Sequence, residues 1–355
     1  MEGMQSVDRD FSLDTVALLN TPLKPAKSNL SSLASVWARR YVTSVAQASM
    51  SEWSSAQRLR SEIVDRQLSH RRSVEARLSA TIRHASAQAW AKTEALLQGE
   101  LDRHGIAPEL INPWEIAGDA HQLFAQVIAA YGANVLAPKM ALTVGPQCGQ
   151  LRTKYMAHDP RIIGFVSMQC HYTGQMLLAQ LRSAEQQEFA PYLKVIDDHL
   201  YMPLQEAYQA AAQCDPDDAA LRAVQNLLRV SSRVARKVCK RVQNQNLGYQ
   251  SYSGLLSTDA VRVSSLRDVE MFQLYLCLCL LEGNVRSVQA QLFPLCVMLY
   301  PRLRVSWNLV QEMLEVMGWE MHKRLLPGDM IQFLPYLRTL GHMFSKDVFE
   351  GSREA

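Results

Sequence analysis

Apolar residues recur along most of this chain at intervals of three and four, and almost nowhere in strict alternation. From Ala26 to Gln98 there is neither Gly nor Pro, and Leu59, Ile63, Leu68, Leu78, Ile82, Ala85 and Ala89 keep close to the helical repeat. The spacing predicts one long helix or a two-helix hairpin with a thin apolar stripe. Such a stripe cannot wrap a core. It packs on one neighbour: another helix of the chain, a second copy in a coiled coil, or a partner. Residues 1–27, with Pro22 and Pro25, are expected to be a flexible tail, and 28–133 a helical arm ending in a helix near 114–133. Pro138, Gly145, Pro146 and Gly149 crowd into 134–159 and Pro160 follows directly, which predicts a linker or loop. Beyond it, helices are predicted near 161–182, 185–213, 217–244, 266–282, 285–300, 304–325 and 328–344, with 346–355 as a tail. Gly248 to Thr258 is expected to be a Ser/Tyr/Gly loop, and Pro327-Gly328-Asp329 a turn. The expected fold class is all-α: a long polar N-terminal helical arm followed by a multi-helix bundle over 160–345.

Composition narrows the class further. The chain has 355 residues, 48% hydrophobic and 20% charged. That supplies a sizeable core without disulfide or metal staples and excludes a fully disordered chain. Its seven cysteines are scattered and odd in number, and the N-terminus is polar and acidic. A disulfide framework is not expected, and a reducing, cytoplasmic setting is. The longest apolar run, Met271 to Leu281, is too short to span a bilayer and suits a buried helix. A peripheral membrane contact stays open.

Catalytic signatures are missing. Gly145 to Gly149 lacks the Lys-Ser/Thr ending of a phosphate-cradling loop, and there is no HExxH, CxxC, Glu-x-x-His or GxSxG. Asp197-Asp198-His199 could bind a metal or do acid–base work, but helix neighbours point about 100° apart. A solvated helix turn is the plainer reading. Cys170-His171 and His158-Asp159 read as a buried thiol and a loop histidine, and Cys277 and Cys279 as core. A haem or bilin held by His199 or His171 has no specific support. No catalytic residue, metal ligand or cofactor is therefore assigned, and a non-enzymatic role is favoured.

One feature stands out. Between Ala219 and Thr258 there is no acid, yet Arg222, Arg229, Arg233, Arg236, Lys237, Lys240 and Arg241 lie there. The net charge of +3 therefore hides a polarised chain whose remainder is acidic. Arg222, Arg229, Arg233, Arg236 and Lys240 are separated by 7, 4, 3 and 4 residues and share one helix face. Val224, Leu227, Val234, Val238 and Val242 form another face, suited to a core. Like charges at this spacing disfavour the helix, so something is expected to offset them. Acids of other helices, such as Glu185, Glu188, Asp197 and Asp198, would make the ridge internal glue. Otherwise the offset is external: an acidic protein surface first, a nucleic acid or a membrane surface less so. No aromatic is interleaved with the basic residues, which lowers the nucleic-acid reading. The arm's basic residues, Arg58 to Arg83, are interrupted by Glu62, Asp65 and Glu75 and read as a mixed solvated face. Cys239, flanked by Arg236 and Lys240, could have a lowered thiol pKa and sense redox state, but a half-buried inert thiol is the plainer reading.

Three blocks, Arg161-IIGFVSMQCHYTGQMLL-Ala179, Val195-IDDHLYMPLQ-Glu206 and Arg267-DVEMFQLYLCLCLLEG-Asn284, resemble an uncharacterised family of helical proteins of cyanobacteria. The resemblance covers about 150–345 and brings no catalytic residue. It implies a cytoplasmic bacterial protein working near the photosynthetic apparatus. The residues themselves point to an adaptor, assembly or regulatory protein that docks an acidic partner, with a homo-oligomer through the N-terminal arm as a further contact. The alternatives are a cofactor- or ligand-binding helical sensor and a nucleic-acid-binding protein.

Overall fold

The computed structural model describes residues 60–350. The tail expected over 1–27, the first part of the arm over 28–59 and the residues 351–355 lie outside the described residues. The fold is all-α, apart from one short hairpin. It forms two compact units, divided between Gln205 and Glu206.

The first unit is built on α1 (Arg60–His104), followed by α2 (Pro113–Gly132), α3 (Ala137–Met156), α4 (Ile162–Ala179) and α5 (Ser183–Tyr201). Along α1 the buried apolar side chains include Val74, Leu78, Ile82, Ala85, Ala89, Leu96 and Leu97, a stripe one or two residues wide per turn. It packs on α2 and α4, so over the described residues the arm's apolar stripe is covered by helices of the same chain. Ser86 sits within it, and the Gln169 amide donates to the Ser86 carbonyl at 2.9 Å and hydroxyl at 3.0 Å. α2 starts where Asn112 Oδ1 accepts from the Trp114 and Glu115 amides at 3.1 and 3.3 Å, with Pro113 at the first helical position.

The stretch 134–159, expected as a linker or loop, is instead helix α3 over Ala137–Met156. Its punctuating residues have other tasks. Pro138 stands in the first turn, where an N–H is not needed. Pro146 faces solvent, where the carbonyl it leaves unbonded can be hydrated. Gly145 and Gly149 are buried where other side chains press close: a Cβ at Gly145 would lie 2.7 Å from His199 Nε2, and one at Gly149 would lie 2.9 Å from the Gln205 Cβ. These glycines mark helix packing and not a break.

The second unit begins within α6 (Leu204–Ala212) and contains α7 (Ala219–Gln245), a two-stranded antiparallel hairpin of β1 (Gln250–Ser251) and β2 (Gly254–Leu255), α8 (Asp259–Glu282), a π-helical turn over Val288–Leu292, α9 (Phe293–Arg302), α10 (Trp307–His322), α11 (Pro327–Met343) and α12 (Lys346–Glu350). The helix expected over 185–213 is broken into α5 and α6, because Pro203 forces Met202 into extended backbone, φ −101° and ψ 140°. The Gly248–Thr258 loop carries the hairpin, and the stretch expected as a tail begins with α12. Every residue from Met271 to Leu281 is buried, so α8 is the central helix of its unit. Gly283 ends it in the left-handed region at φ 67°, where glycine carries no Cβ strain. Phe344 closes this core, 5.4 Å from Phe272 and 5.1 Å from Phe293 between ring centroids.

Candidate partner-binding face

α7 begins where the Asp218 side chain accepts from the Ala220 amide at 2.9 Å. Leu221, Val224, Leu227, Val234, Val238 and Val242 are buried, and with them α7 packs on α8, α10 and α11. Arg222, Arg229, Arg233, Arg236, Lys237, Lys240 and Arg241 are exposed. None of the seven forms an ion pair with a described residue.

Three of the acids considered as partners for the ridge are bound to other groups. Glu185 pairs with Arg77 at 2.8 Å and Arg182 at 2.7 Å, which hold its carboxyl far below the usual range, down to about 2. Glu188 accepts from the Tyr131 hydroxyl at 3.1 Å and lies 3.5 Å from Arg71. Asp198 takes Lys194 at 2.9 Å. Acids from the helices that flank α7 do reach it, but they bond to neutral side chains on its shoulders. Glu270 of α8 accepts from Ser232 at 2.9 Å, Asp329 of α11 from Asn226 at 2.9 Å, and Glu312 of α10 from Asn246 at 2.8 Å. The polar shoulders thus engage the neighbours' carboxylates, and the guanidinium row between them is left to solvent.

The other sequence candidates are placed differently from one another. His199 is buried against Gly145, its Nδ1 2.8 Å from the Val195 carbonyl, and burial holds its pKa down to about 4. Asp198 is buried as well, so Asp197-Asp198-His199 is not the solvated turn expected from sequence. Cys170 is buried, which drives its thiol pKa well above 9, whereas His171 lies 2.9 Å from the Gln175 amide nitrogen. His158 is exposed, and Asp159 is bound by Arg161. Among the described residues no group of three or more His, Cys, Asp or Glu could hold a metal. At Cys239, burial, then Asp268 and Glu270, push the thiol up to about 12, against the lowered value that redox sensing would need. Arg236 and Lys240 point to solvent and leave it a protonated thiol.

Sequence reasoning missed several exposed apolar side chains on elements that adjoin α7: Leu247, at 83% exposure, just past its end, Val263, at 63%, on α8, and Leu326, at 69%, immediately before α11. Leu247 carried a readable signal as a lone apolar residue in Gln245-Asn246-Leu247-Gly248. Val263 did not, because its helix was expected to begin later. Among the described residues no helix is long and apolar enough to cross a membrane. No protein-family model, curated protein or solved structure matches the chain.

Proposed function

We propose that this chain is a non-enzymatic adaptor, assembly or regulatory protein that docks an acidic protein surface through Arg222, Arg229, Arg233, Arg236 and Lys240. The observation that carries this reading is the row itself: seven exposed cations without a carboxylate partner among the described residues, beside three acids bonded to Ser and Asn instead. Like charges at this spacing weaken a helix, and an acidic partner removes that repulsion on binding. Docking would proceed by long-range steering, with rates that fall as salt rises. Guanidinium forks grip carboxylates in pairs, which suits Arg over Lys in four of the five positions. All seven cysteines are free thiols, which fits action in the reducing cytoplasm.

The experiment is a native pull-down with mass spectrometry, comparing the wild-type chain with Arg229→Gln/Arg233→Gln/Arg236→Gln. The expected outcome is loss of a defined acidic protein with the helical circular dichroism unchanged. An unchanged set of captured proteins sinks the reading. Co-purifying nucleic acid, seen as excess 260 nm absorbance lost in the variant, replaces it with the nucleic-acid alternative.

A further inference from the structure

The surroundings of the ridge constrain what kind of acidic surface fits it. From Arg222 to Lys240 the row runs roughly 27 Å along the axis of α7, at 1.5 Å per residue. Its flanks are not equivalent. On one side the hairpin turns the chain back, so α8 runs antiparallel to α7, and the Ser232–Glu270 bond at 2.9 Å fixes the alignment. Two turns further along each helix, Val263 of α8 comes level with Cys239 and Lys240. Val263 shares its face with Glu270, because the two are seven residues apart. It therefore stands exposed beside the C-terminal end of the row. Leu247, exposed two residues past the end of α7, extends this apolar corner. The corner is held in place by the hairpin: Tyr249 Oη donates to the Arg304 carbonyl at 2.8 Å and accepts from the Ser306 amide at 2.8 Å, and the Tyr252 amide donates to the Leu303 carbonyl at 2.9 Å.

On the other side, at the opposite end, the Asn226–Asp329 bond at 2.9 Å brings the first turn of α11 against α7. Asn226 lies one turn from both Arg222 and Arg229. Leu326, immediately before α11, is exposed there. The cationic row is thus bounded by an apolar anchor on the α11 side at its start and another on the α8 side at its end.

Building on the acidic-partner reading, we infer that the occupant is an acidic amphipathic helix of a partner protein that lies obliquely across α7, its carboxylates over the arginine row and an apolar side chain at each end on Leu326 and on Val263 with Leu247. A helix spanning roughly 27 Å has about 18 residues, which matches five cations at helical spacing with acids at the same spacing. A purely acidic coil would satisfy the charges and leave the apolar corners wet. Apolar anchors around a charged row supply the slow off-rate, while the charges supply the on-rate.

Fluorescence anisotropy on the full chain separates the possibilities. Three labelled probes are used: an 18-residue helical peptide with glutamates on one face and leucines at both ends, the same peptide with serines at the ends, and polyglutamate of equal charge. The expected result is that the leucine-ended peptide binds about tenfold more tightly than the other two. Val263→Ser/Leu326→Ser, both exposed positions, removes that advantage and leaves binding of the serine-ended peptide unchanged. Equal binding of all three probes to the wild-type chain overturns the helix proposal, while the acidic-partner reading stands if the binding is lost in the triple arginine variant. Absence of binding by any probe overturns the helix proposal too, and the lysate experiment then decides the broader reading on its own. Tighter binding of phosphatidylserine vesicles or duplex DNA than of the leucine-ended peptide overturns both.

Discussion

His199 illustrates how a single buried group makes this chain sensitive to acid. Its imidazole is 6% exposed, lies against Gly145 and bonds through Nδ1 to the Val195 carbonyl. Burial, reinforced by the Lys194 charge, lowers its pKa from 6.5 to about 4, whereas the unfolded chain keeps the ordinary value. At neutral pH both states hold the neutral ring and the group is silent. Below 6.5 the unfolded state binds a proton that the folded state refuses, so stability falls as pH drops toward 4, by up to about 3 kcal/mol. Urea midpoints of wild type and His199→Gln should therefore converge or cross over that window, with the wild type losing ground; parallel curves would contradict the burial of a neutral ring. Glu282 works in the opposite sense. Burial, with Glu206 nearby, raises its pKa from 4.5 to about 7. The unfolded state releases this proton first, so ionisation erodes stability as pH rises from 4.5 through 7. Glu282→Gln is expected to raise the thermal midpoint at pH 8, with the gain disappearing below pH 4.5.

At the scale of the element, glycine in α3 decides how near the helices stand. A methyl group at position 145 would meet the His199 ring at 2.7 Å, and that ring is fixed by its own helix and its carbonyl partner. Gly145→Ala is expected to cost 1–3 kcal/mol by overpacking, roughly the known range for such insertions. Gly118→Ala, where nothing lies within 4 Å of the added carbon, is expected to be neutral or slightly stabilising through helix propensity. Urea unfolding of the two variants provides the comparison. This is also why 134–159 could not be read from sequence: Gly145 and Gly149 look like breakers until His199 and Gln205 arrive beside them, and those come from 50 or so residues away, an order of separation that local pattern does not report. The cationic face of α7 was readable because its cause is local: the phase of Arg222 to Lys240 against Val224 to Val242 is set by the helix alone. Whether the arginines were free was not local. It depended on Glu270, Asp329 and Glu312 meeting Ser232, Asn226 and Asn246, which only the packing of α8, α10 and α11 on α7 determines. The split at Met202 had a local signal in Pro203, and the π-helical turn over Val288–Leu292 had none.

At the scale of the molecule, the division between Gln205 and Glu206 gives each unit a hydrophobic core of its own. In the first, Leu78, Leu97, Phe124 and Phe165 are fully enclosed, and in the second, Phe272, Tyr275, Phe333 and Phe344. The ridge, the exposed Leu247, Val263 and Leu326, and the carboxylates that bypass the ridge all belong to the second. The cationic face therefore rests on one core, and the acid-sensitive His199 rests on the other. Removing the Phe272 ring, which is completely buried and packs on Phe344, is expected to cost about 3–5 kcal/mol by loss of contacts and an unfilled cavity. Because cooperative opening follows contiguous packing, amide hydrogen exchange in Phe272→Ala should accelerate in α7, α8 and α11 while α1 and α4 keep wild-type protection. Leu78→Ala is the mirror experiment and should loosen α1, α2 and α4 first. Acceleration spread evenly over all five helices of the first unit in the Phe272 variant would mean that the units unfold as one, and that the cationic face draws its stability from the whole chain.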